Sequence, residues 1–435
     1  MQVRLRLLLP IAAAAFGCLP LACEGDDVTL SDEDASVFAF DGTFDRTSDA
    51  SDSESALDAS SEIDAGPVER LFPSDLGSNS FPGCIFGSPQ IYGPPGAERV
   101  IVVSNDGTVA AISPDTGNVM WSMKIPLPEG ESAYALATPA IVGDTLFESY
   151  STISTATSER DSARVVAIDL VHHVVDPNFP EVVLAASKLG SGDAGMIDFL
   201  ASHEVDRSPV VYAQPDPAKR GLLYIELGNI RDIQPWHGWM FELDLDQWHD
   251  HGAASAVSGS IVDTPESQCG IADQGGSREQ ICGGGIWAPG GPEIKVTDAG
   301  LEILAVAGNG QLDLARRDYA NTMMRLRQGL TFDPACDPAC TAFSDGGPPT
   351  TDCMETCGDL FVPRIPDGGP LAPQDQGCAG LGFWDCYAAH DWDLGADGPL
   401  RITLKNGLEV VVLPAKDGGL YLVDAQHLGT LYDRI

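Results

Sequence analysis

Short apolar runs, separated by turns rich in Gly, Pro, Asp and Asn, follow one another along most of the chain. Two stretches near opposite ends show the pattern most clearly: SNDGTVAAISPDTGNVMWS at 104–122 and PAKDGGLYLVDAQHLGTLY at 414–432. Each follows an apolar run, makes a tight Asp-Gly turn, returns as a short strand and turns again at glycine. This recurring unit predicts an all-β repeat protein, a β-propeller of four-stranded blades.

Five blade-like units are predicted between Leu71 and the last residue, with two insertions. The units cover 99–123, 138–170, 208–248, 283–327 and 399–429. The stretch 331–390, rich in Cys, Pro, Gly and Asp, is predicted to be a disulfide-stapled insertion, and 250–281 a smaller one. A ring of blades must close, or the strands at its two ends are left unpaired. We therefore expect either further blades that the sequence pattern does not reveal or a chain that is incomplete at its C-terminus.

The first residues have the pattern of a bacterial export signal. Arg4 and Arg6 precede an apolar run, 7–16, that is too short to span a membrane. LPLAC, 19–23, is similar to a lipobox, which would place a lipid anchor on Cys23; AFGC, ending at Cys18, is the competing site, and ordinary signal cleavage is the other alternative. The sequence thus predicts an exported lipoprotein, periplasmic or on the cell surface.

Residues 24–70 are polar, acidic and rich in Ser and Asp, with few aromatic side chains. Such a segment has too little apolar surface to offset the entropy of ordering, so we expect a disordered tether between the anchor and the propeller at 71–435.

The composition narrows the choice of partners. The chain has 435 residues, 43% of them hydrophobic, and a formal net charge of −40. That apolar content is enough for a large core. The charge argues against a nucleic-acid partner, because phosphates attract Lys and Arg.

The cysteines indicate an oxidising compartment. Beyond Cys18 and Cys23 there are nine, and an odd number predicts one free thiol or one missing partner, with Cys84 our choice for the free thiol. The other eight are expected in disulfides: Cys269, Cys282, Cys336, Cys340, Cys353, Cys357, Cys378 and Cys386. The two CxxxC pairs at 336–340 and 353–357 would clamp a loop or a helical hairpin, with a zinc site as the alternative.

The segment DGTVAAISPDTGNVMW, 106–121, resembles the repeat of quinoprotein-like β-propellers. That repeat is shared by dehydrogenases that use pyrroloquinoline quinone (PQQ) and by non-enzymatic scaffolds of outer-membrane assembly. The resemblance covers about 99–429 without the insertions, and its second half is closer to the dehydrogenases.

Within that resemblance, GGGIW, 283–287, looks like the segment whose tryptophan stacks on the quinone. Trp287 would then be the floor, and Gly284 and Gly285 would bring backbone close to the cofactor. The turn AKDG, 415–418, is similar to the family turn whose lysine contacts the quinone oxygens, which gives that role to Lys416. Packing between blades and an ordinary solvated turn are the alternatives.

The resemblance also implies a Ca²⁺ ion and a general base. GNG, 308–310, is similar to the segment whose asparagine ligates the ion, and this makes Asn309 a metal ligand, or else part of a simple Asn-Gly turn. DWDLGADGP, 391–399, resembles the segment of the catalytic aspartate, so Asp393, or Asp391, would be the base or cap a turn. No glutamate matches the family's acidic ligand, and Asp232 is the nearest substitute.

Two features of the family are missing from this sequence: the adjacent Cys-Cys pair and a CxxCH haem motif. Histidines 172, 173, 237, 249 and 251 offer a weaker hypothesis of a metal site. Two functions remain open. One is an envelope-anchored PQQ- and Ca²⁺-dependent dehydrogenase of alcohols or sugars. The other is a non-catalytic propeller lipoprotein that binds proteins or polymers.

Overall fold

The computed structural model describes residues 83–190, 195–229, 236–265, 283–310, 312–314, 317–337, 351–363 and 392–435. The chain divides into two compact units, Met1–Ser74 and Asp75–Ile435, and all described residues belong to the second. No helix within these residues is long and apolar enough to cross a membrane.

The described strands form seven antiparallel sheets, and we number the five larger ones as blades in chain order. Blade 1 contains β1 (Gln90–Tyr92), β2 (Arg99–Val103), β3 (Thr108–Ile112) and β4 (Val119–Lys124). Blade 2 contains β5 (Glu131–Tyr134), β6 (Ala140–Val142), β7 (Thr145–Ser154), β8 (Arg160–Asp169), β9 (Val174–Val175) and β10 (Val182–Val183). Blade 3 contains β13 (Glu204–Val205), β14 (Val211–Ala213), β15 (Leu222–Asn229), β16 (Trp239–Asp244) and β17 (Val257–Val262).

Blade 4 contains β18 (Glu293–Thr297), β19 (Gly300–Val306), β22 (Met323–Arg327) and β23 (Leu360–Phe361). Blade 5 contains β24 (Leu400–Thr403), β25 (Glu409–Pro414), β26 (Leu420–Asp424) and β27 (Leu431–Arg434). Two small hairpins lie between blades or strands: β11 (Ser187–Leu189) with β12 (Met196–Asp198), and β20 (Leu312–Asp313) with β21 (Asp318–Tyr319). The helices are α1 (Leu245–His251) and α2 (Thr351–Met354).

Successive blades pack face to face, and this arrangement confirms the predicted β-propeller. Four apolar clusters fill the gaps between blades 1 and 2, 2 and 3, 3 and 4, and 4 and 5. Side chains alternate across each strand. In β15, Tyr224 faces blade 4 whereas Leu223 and Ile225 face blade 2. Because both faces are covered, the central strands β7 and β15 are buried at nearly every position, at their polar residues as well as their apolar ones.

In each blade the inner strand, or its second segment in blades 2 and 3, begins directly after a proline or one residue later. The five dipeptides that lead into these strands are Ser88-Pro89, Thr138-Pro139, Ser208-Pro209, Gly291-Pro292 and Gly398-Pro399. A proline has no N–H to donate and is therefore tolerated at the start of a strand.

Several of these strand entries touch the next one. Ser88 N donates to Thr138 Oγ1 (2.7 Å), and Val210 N donates to the Thr138 carbonyl (2.9 Å). A Cβ on Gly291 would lie 2.6 Å from Cγ of Pro209, so blades 3 and 4 meet too closely there for a side chain. The repeated dipeptide thus marks where neighbouring blades come together.

The inner strand is interrupted in blades 2 and 3. In blade 2, β5 pairs with the end of β7 and β6 with its beginning, which leaves 148–150 without an inner partner in the sheet. In blade 3, β13 and β14 flank the same kind of gap opposite 225–227 of β15. Polar side chains occupy both gaps.

Two strands lie inside the stretches that the sequence predicted as insertions. β17 is the outer strand of blade 3, and β23 is the fourth strand of blade 4. The prediction of insertions was therefore wrong at these two strands. They were overlooked because β17 contains Ser258, Gly259 and Ser260, and β23 is only two residues long. Neither has the apolar run by which a buried strand is recognised.

A buried arginine joins blades 4 and 5. Arg325, on β22, is 5% exposed; its Nη2 donates to the Ala425 carbonyl of blade 5 (2.6 Å). Its Nη1 donates to the Gln426 carbonyl (3.2 Å) and to Asp359 Oδ1 of blade 4 (2.7 Å). One side chain therefore bonds to backbone of one blade and to a carboxylate of the other.

One disulfide joins the two CxxxC motifs. Cys336 and Cys357 form a disulfide that closes a separation of 21 residues, and Cys353 is also disulfide-bonded. Cys84 is disulfide-bonded as well, so the prediction of a free thiol there was wrong; parity in the sequence cannot identify the odd residue. Cysteines 269, 282, 340, 378 and 386 lie outside the described residues.

We expect the Cys336→Ser/Cys357→Ser double variant to lose about 3 kcal/mol of unfolding free energy, because the unfolded chain regains the entropy of a loop of 21 residues. Urea unfolding without reductant measures this loss. In dithiothreitol the variant and the wild type should unfold at nearly the same urea concentration. Equal stability in the absence of reductant would show that this disulfide does not contribute.

Candidate functional site

The GGGIW segment, 283–287, runs between the ends of β15 in blade 3 and β19 in blade 4. Ile286 N donates to the Leu227 carbonyl at the end of β15 (3.2 Å), and Gly308 N, just past β19, donates to the Gly285 carbonyl (2.9 Å). Gly284 has a φ of +82°, and a Cβ there would lie 2.4 Å from Asp263 Oδ2. Only glycine fits such a backbone and such a contact.

Trp287 is held by glycine backbone at this point. A Cβ on Gly228 would lie 2.8 Å from Cδ1 of the indole, and one on Gly308 would lie 3.1 Å from its Nε1. These glycines end β15 and follow β19, so blades 3 and 4 both contribute to the tryptophan's setting. The ring is half-buried.

Asp393 reaches the same place from the segment that leads into blade 5. Its Oδ1 accepts a hydrogen bond from Asn309 N (2.7 Å). The next residue, Leu394, donates its N–H to Asn321 Oδ1 (2.9 Å), and Asn321 N donates to the Gly308 carbonyl (2.6 Å). The aspartate, 3% exposed, is therefore tied to blade 4 by side chain and backbone together.

Lys416 completes the group from the turn between β25 and β26. Its Nζ lies 2.6 Å from Asp393 Oδ2, and its backbone N donates to the Asp393 carbonyl (3.0 Å). The same ammonium lies 4.8 Å from the centroid of the Trp287 ring, close enough for a cation–π interaction. One cation thus contacts both the carboxylate and the aromatic face.

The structure brings together four of the residues that the sequence singled out: Trp287, Asn309, Asp393 and Lys416. They come from three different segments, near the ends of blades 3, 4 and 5. Asn309 contributes its backbone N–H, and the residue is half-buried. Asp391 and Asp232 lie outside the described residues.

The chemical types of these side chains are those that would bind a planar anionic quinone and a hard cation. Trp287 offers an aromatic surface, Lys416 a positive charge beside it, and Asn309 and Asp393 oxygen atoms of the type that Ca²⁺ prefers. The Lys416 ammonium lies over the ring, so a ligand that stacks there has to share or displace it.

The sequence did not reveal Asn321, whose side chain positions the segment after Asp393. Its φ of +56° is a left-handed conformation that asparagine tolerates better than most residues. A second missed feature is the Gly228-Asn229 pair, which occupies in blade 3 the place of Gly308-Asn309 in blade 4. The sequence did contain a signal for this pair, because ELGN at 226–229 and AGN at 307–309 both end in Gly-Asn at the end of a strand.

A second polar group lies on the Gly284 side of the segment. His237 Nδ1 donates to the Thr264 carbonyl (2.6 Å), and burial lowers the pKa of this histidine to about 4, so it is neutral. Burial also raises the pKa values of Glu204 and Asp263 well above their usual range. Both acids accept a backbone N–H with one carboxylate oxygen and leave the other without a partner.

The other histidines make local contacts. His172 pairs with Asp169, His173 stacks on Trp121, and His249 pairs with its neighbour Asp250 at the end of α1. Across the described part of the chain, no group of three or more His, Cys, Asp or Glu side chains is already arranged to hold a metal ion.

Comparison with known proteins finds similarity to solved structures but not to any family model or curated sequence. A quinohemoprotein alcohol dehydrogenase from Pseudomonas putida HK5 is 11% identical over 81% of this chain and 42% of its own (TM-score 0.44). A europium-containing methanol dehydrogenase is also 11% identical, over 81% and 52% (TM-score 0.44). BamB from Moraxella catarrhalis is 10% identical, over 81% and 77% (TM-score 0.31).

The chain spans about half the length of these dehydrogenases, and TM-scores below 0.5 assign no function. The blades and their packing, rather than these similarities, define the class of protein: an all-β propeller of four-stranded blades. A polar and aromatic site lies at the strand ends of blades 3 to 5.

Replacing Lys416 with Met should lower the free energy of unfolding by about 1–3 kcal/mol, because the buried Asp393 carboxylate loses its ammonium partner. Urea unfolding of the Lys416→Met and Asp393→Asn variants and of the double variant gives the coupling energy of the pair. Lys405→Met, at an exposed turn of the same blade, is the matched control, with an expected change within about 0.5 kcal/mol. Additive effects of the two substitutions would mean that the pair contributes nothing.

Proposed function

We propose that this propeller is a PQQ- and Ca²⁺-dependent dehydrogenase of alcohols or sugars. The observation that carries the proposal is the convergence of Trp287, Asn309, Asp393 and Lys416 from separate blades, in the arrangement that the family resemblance implies. The four residues together offer an aromatic face, a cation and two oxygen ligands at one point.

In this proposal each residue has a separate task. Trp287 stacks against the planar cofactor, and Asn309 offers its amide oxygen to the Ca²⁺ ion, with Asp232 as the proposed acidic ligand. Gly284 and Gly285 keep the backbone close to the ring. The cofactor, when bound, accepts the two electrons that leave the substrate carbon.

Asp393 would take the proton from the substrate hydroxyl, with Asp391 the alternative base. Its carboxylate is oriented by Asn309 N–H on one oxygen and by Lys416 on the other, so it presents a defined direction to a substrate. Lys416 would also stabilise negative charge that develops on the cofactor's oxygens.

A non-catalytic propeller that binds proteins or polymers is the second candidate. It is favoured by the ion pair itself, since Lys416 neutralises Asp393 and covers the face of Trp287 without any ligand. In that case the four residues would serve mainly to hold blades 3, 4 and 5 together.

Titration of the protein with PQQ and Ca²⁺ distinguishes the two candidates. The proposal predicts quenching of tryptophan fluorescence and reduction of an artificial electron acceptor with at least one alcohol or sugar. Trp287→Leu should weaken PQQ binding by about tenfold or more, since it removes the stacking surface. Trp121→Phe, in blade 1, is the control and should leave binding unchanged.

The role of Asp393 as general base is tested by measuring PQQ binding and dye reduction separately. Asp393→Asn should retain PQQ binding and lose dye reduction by a factor of about 100 to 10,000, the usual contribution of a general base. Absence of both quenching and dye reduction in the wild type would refute the dehydrogenase and leave the binding propeller.

We also propose that the protein is held at the cell envelope by a lipid on Cys23, with 24–70 as its tether. The lipobox-like LPLAC segment and the acidic linker support this. Mass spectrometry of the membrane fraction should find a diacylated cysteine as the N-terminal residue, and Cys23→Ala should release the protein from the membrane. Lipid on Cys18 instead, or an unmodified cleaved N-terminus, would contradict the assignment.

A further inference from the structure

Asn321 lies two residues before β22, and its hydrogen bonds hold two different peptide units of the site. The residue is 0% exposed. Its backbone N donates to the Gly308 carbonyl (2.6 Å), and its Oδ1 accepts a hydrogen bond from Leu394 N (2.9 Å). The carboxamide Nδ2 is buried without a hydrogen-bond partner in the described part of the chain, so the side chain bonds through its oxygen alone.

The first of these peptide units joins Asp393 to Leu394. Its N–H is the one that donates to Asn321, and its carbonyl accepts a hydrogen bond from Lys416 N (3.0 Å). Because a peptide unit is planar, bonds at both ends fix its orientation. A short 3₁₀ turn, Leu394–Ala396, starts here, and the Asp393 side chain makes no capping hydrogen bond to it. Asn321 therefore supplies the acceptor that the first N–H of the turn needs.

The second peptide unit joins Gly308 to Asn309. Its carbonyl accepts the hydrogen bond from Asn321 N, and its N–H donates to Asp393 Oδ1 (2.7 Å). The same asparagine thus holds the backbone of the aspartate and also the peptide unit that binds the aspartate's side chain. A closed circuit of hydrogen bonds and covalent bonds runs from Asn321 through Asn309 and Asp393 back to Asn321.

Asn321 occupies this position with an uncommon backbone conformation. Its φ of +56° is left-handed, a region that asparagine, aspartate and glycine adopt more readily than other residues. Such conformations persist where the surrounding contacts fix them, and they are concentrated at functional sites. The conformation and the two hydrogen bonds are separate observations, and both indicate a residue whose task is geometric.

We propose that Asn321 is a positioning residue that keeps the Asp393 carboxylate aligned with the peptide and amide of Asn309. The inference rests on the dehydrogenase proposed above, in which Asp393 is the base. A base must lie within hydrogen-bond distance of the substrate hydroxyl, and a misplacement of about 1 Å can reduce the rate about 100-fold. The amide of Asn321 takes up no proton, so it acts only through Asp393.

Two substitutions separate the side-chain oxygen from the left-handed backbone. Asn321→Gly keeps the backbone conformation and removes the acceptor, whereas Asn321→Asp keeps an acceptor oxygen on a side chain of the same shape. Asn105→Gly is the matched control, because Asn105 Oδ1 also accepts a backbone N–H, that of Cys84 (2.9 Å), but in blade 1. If Asn321→Gly does not fold, Asn321→Ser replaces it, since the serine oxygen is one bond closer to the backbone and falls short of Leu394 N.

Dye reduction with PQQ, Ca²⁺ and the alcohol or sugar that the wild type oxidises gives the first measurement. Asn321→Gly should lower kcat about 10- to 100-fold, while KM and the PQQ concentration at half-maximal fluorescence quenching change by less than about twofold. Asn321→Asp should restore kcat to within about fivefold of the wild type. Asn105→Gly should keep the wild-type kcat even if it melts at a lower temperature.

The second measurement needs no cofactor. Urea unfolding of the Asp393→Asn, Lys416→Met and double variants gives the coupling energy of the ion pair, and the same cycle is repeated with Asn321→Gly in every protein. Because the peptide unit that follows Asp393 has then lost one of its two anchors, the coupling should fall to about half of its wild-type value or less. With Asn105→Gly in every protein the coupling should be unchanged.

The two measurements distinguish failure of this inference from failure of the proposed function. A wild type that neither binds PQQ nor reduces the dye refutes the dehydrogenase, and the coupling cycle then decides whether Asn321 positions Asp393. In an active protein, an unchanged kcat in Asn321→Gly overturns the proposal; in an inactive one, a coupling that is absent or unchanged does so. An equal loss of kcat in Asn105→Gly, or no recovery in a folded Asn321→Asp protein, would also overturn it.

Discussion

Burial of both faces of the sheets in blades 2, 3 and 4 is the interaction on which the rest of this protein depends. A strand such as β15, with Tyr224 on one face and Leu223 on the other, is stable only between two neighbours. Blades therefore stack in chain order, and their inner strands are forced to meet. The ends of those strands then come close together, and the site of Trp287, Asp393 and Lys416 is a consequence of that stacking.

The propeller was predictable because its signals are local. Alternation, Asp-Gly turns and apolar runs are all visible within twenty residues. The family resemblance singled out Trp287, Asn309, Asp393 and Lys416, which the structure brings together. The burial of Glu148 and Glu226 was not predictable, because it depends on which positions of β7 and β15 lose an inner partner. The outer strands β17 and β23 were missed because tertiary pairing, rather than their own composition, makes them strands.

Polar groups are concentrated where backbone pairing ends. The gaps in blades 2 and 3 hold acidic side chains, whereas the ends of β15 and β19 adjoin a tryptophan, an aspartate and a lysine. An apolar side chain in either place would leave backbone groups unsatisfied, and a charged one needs a counter-charge. At Asp393 the counter-charge is Lys416, part of the chain itself. In the gaps, burial raises the pKa values of Glu148 and Glu226, which favours their uncharged forms.

The seam between blades 4 and 5 has a different character from the other three. Apolar contacts have no preferred direction and allow neighbouring sheets to slide, but the planar guanidinium of Arg325 has fixed angles to its acceptors on both blades. Asn309 belongs to one of those blades and Lys416 to the other. The fork of hydrogen bonds on β22 therefore limits sliding between the two blades from which the amide and the ammonium come.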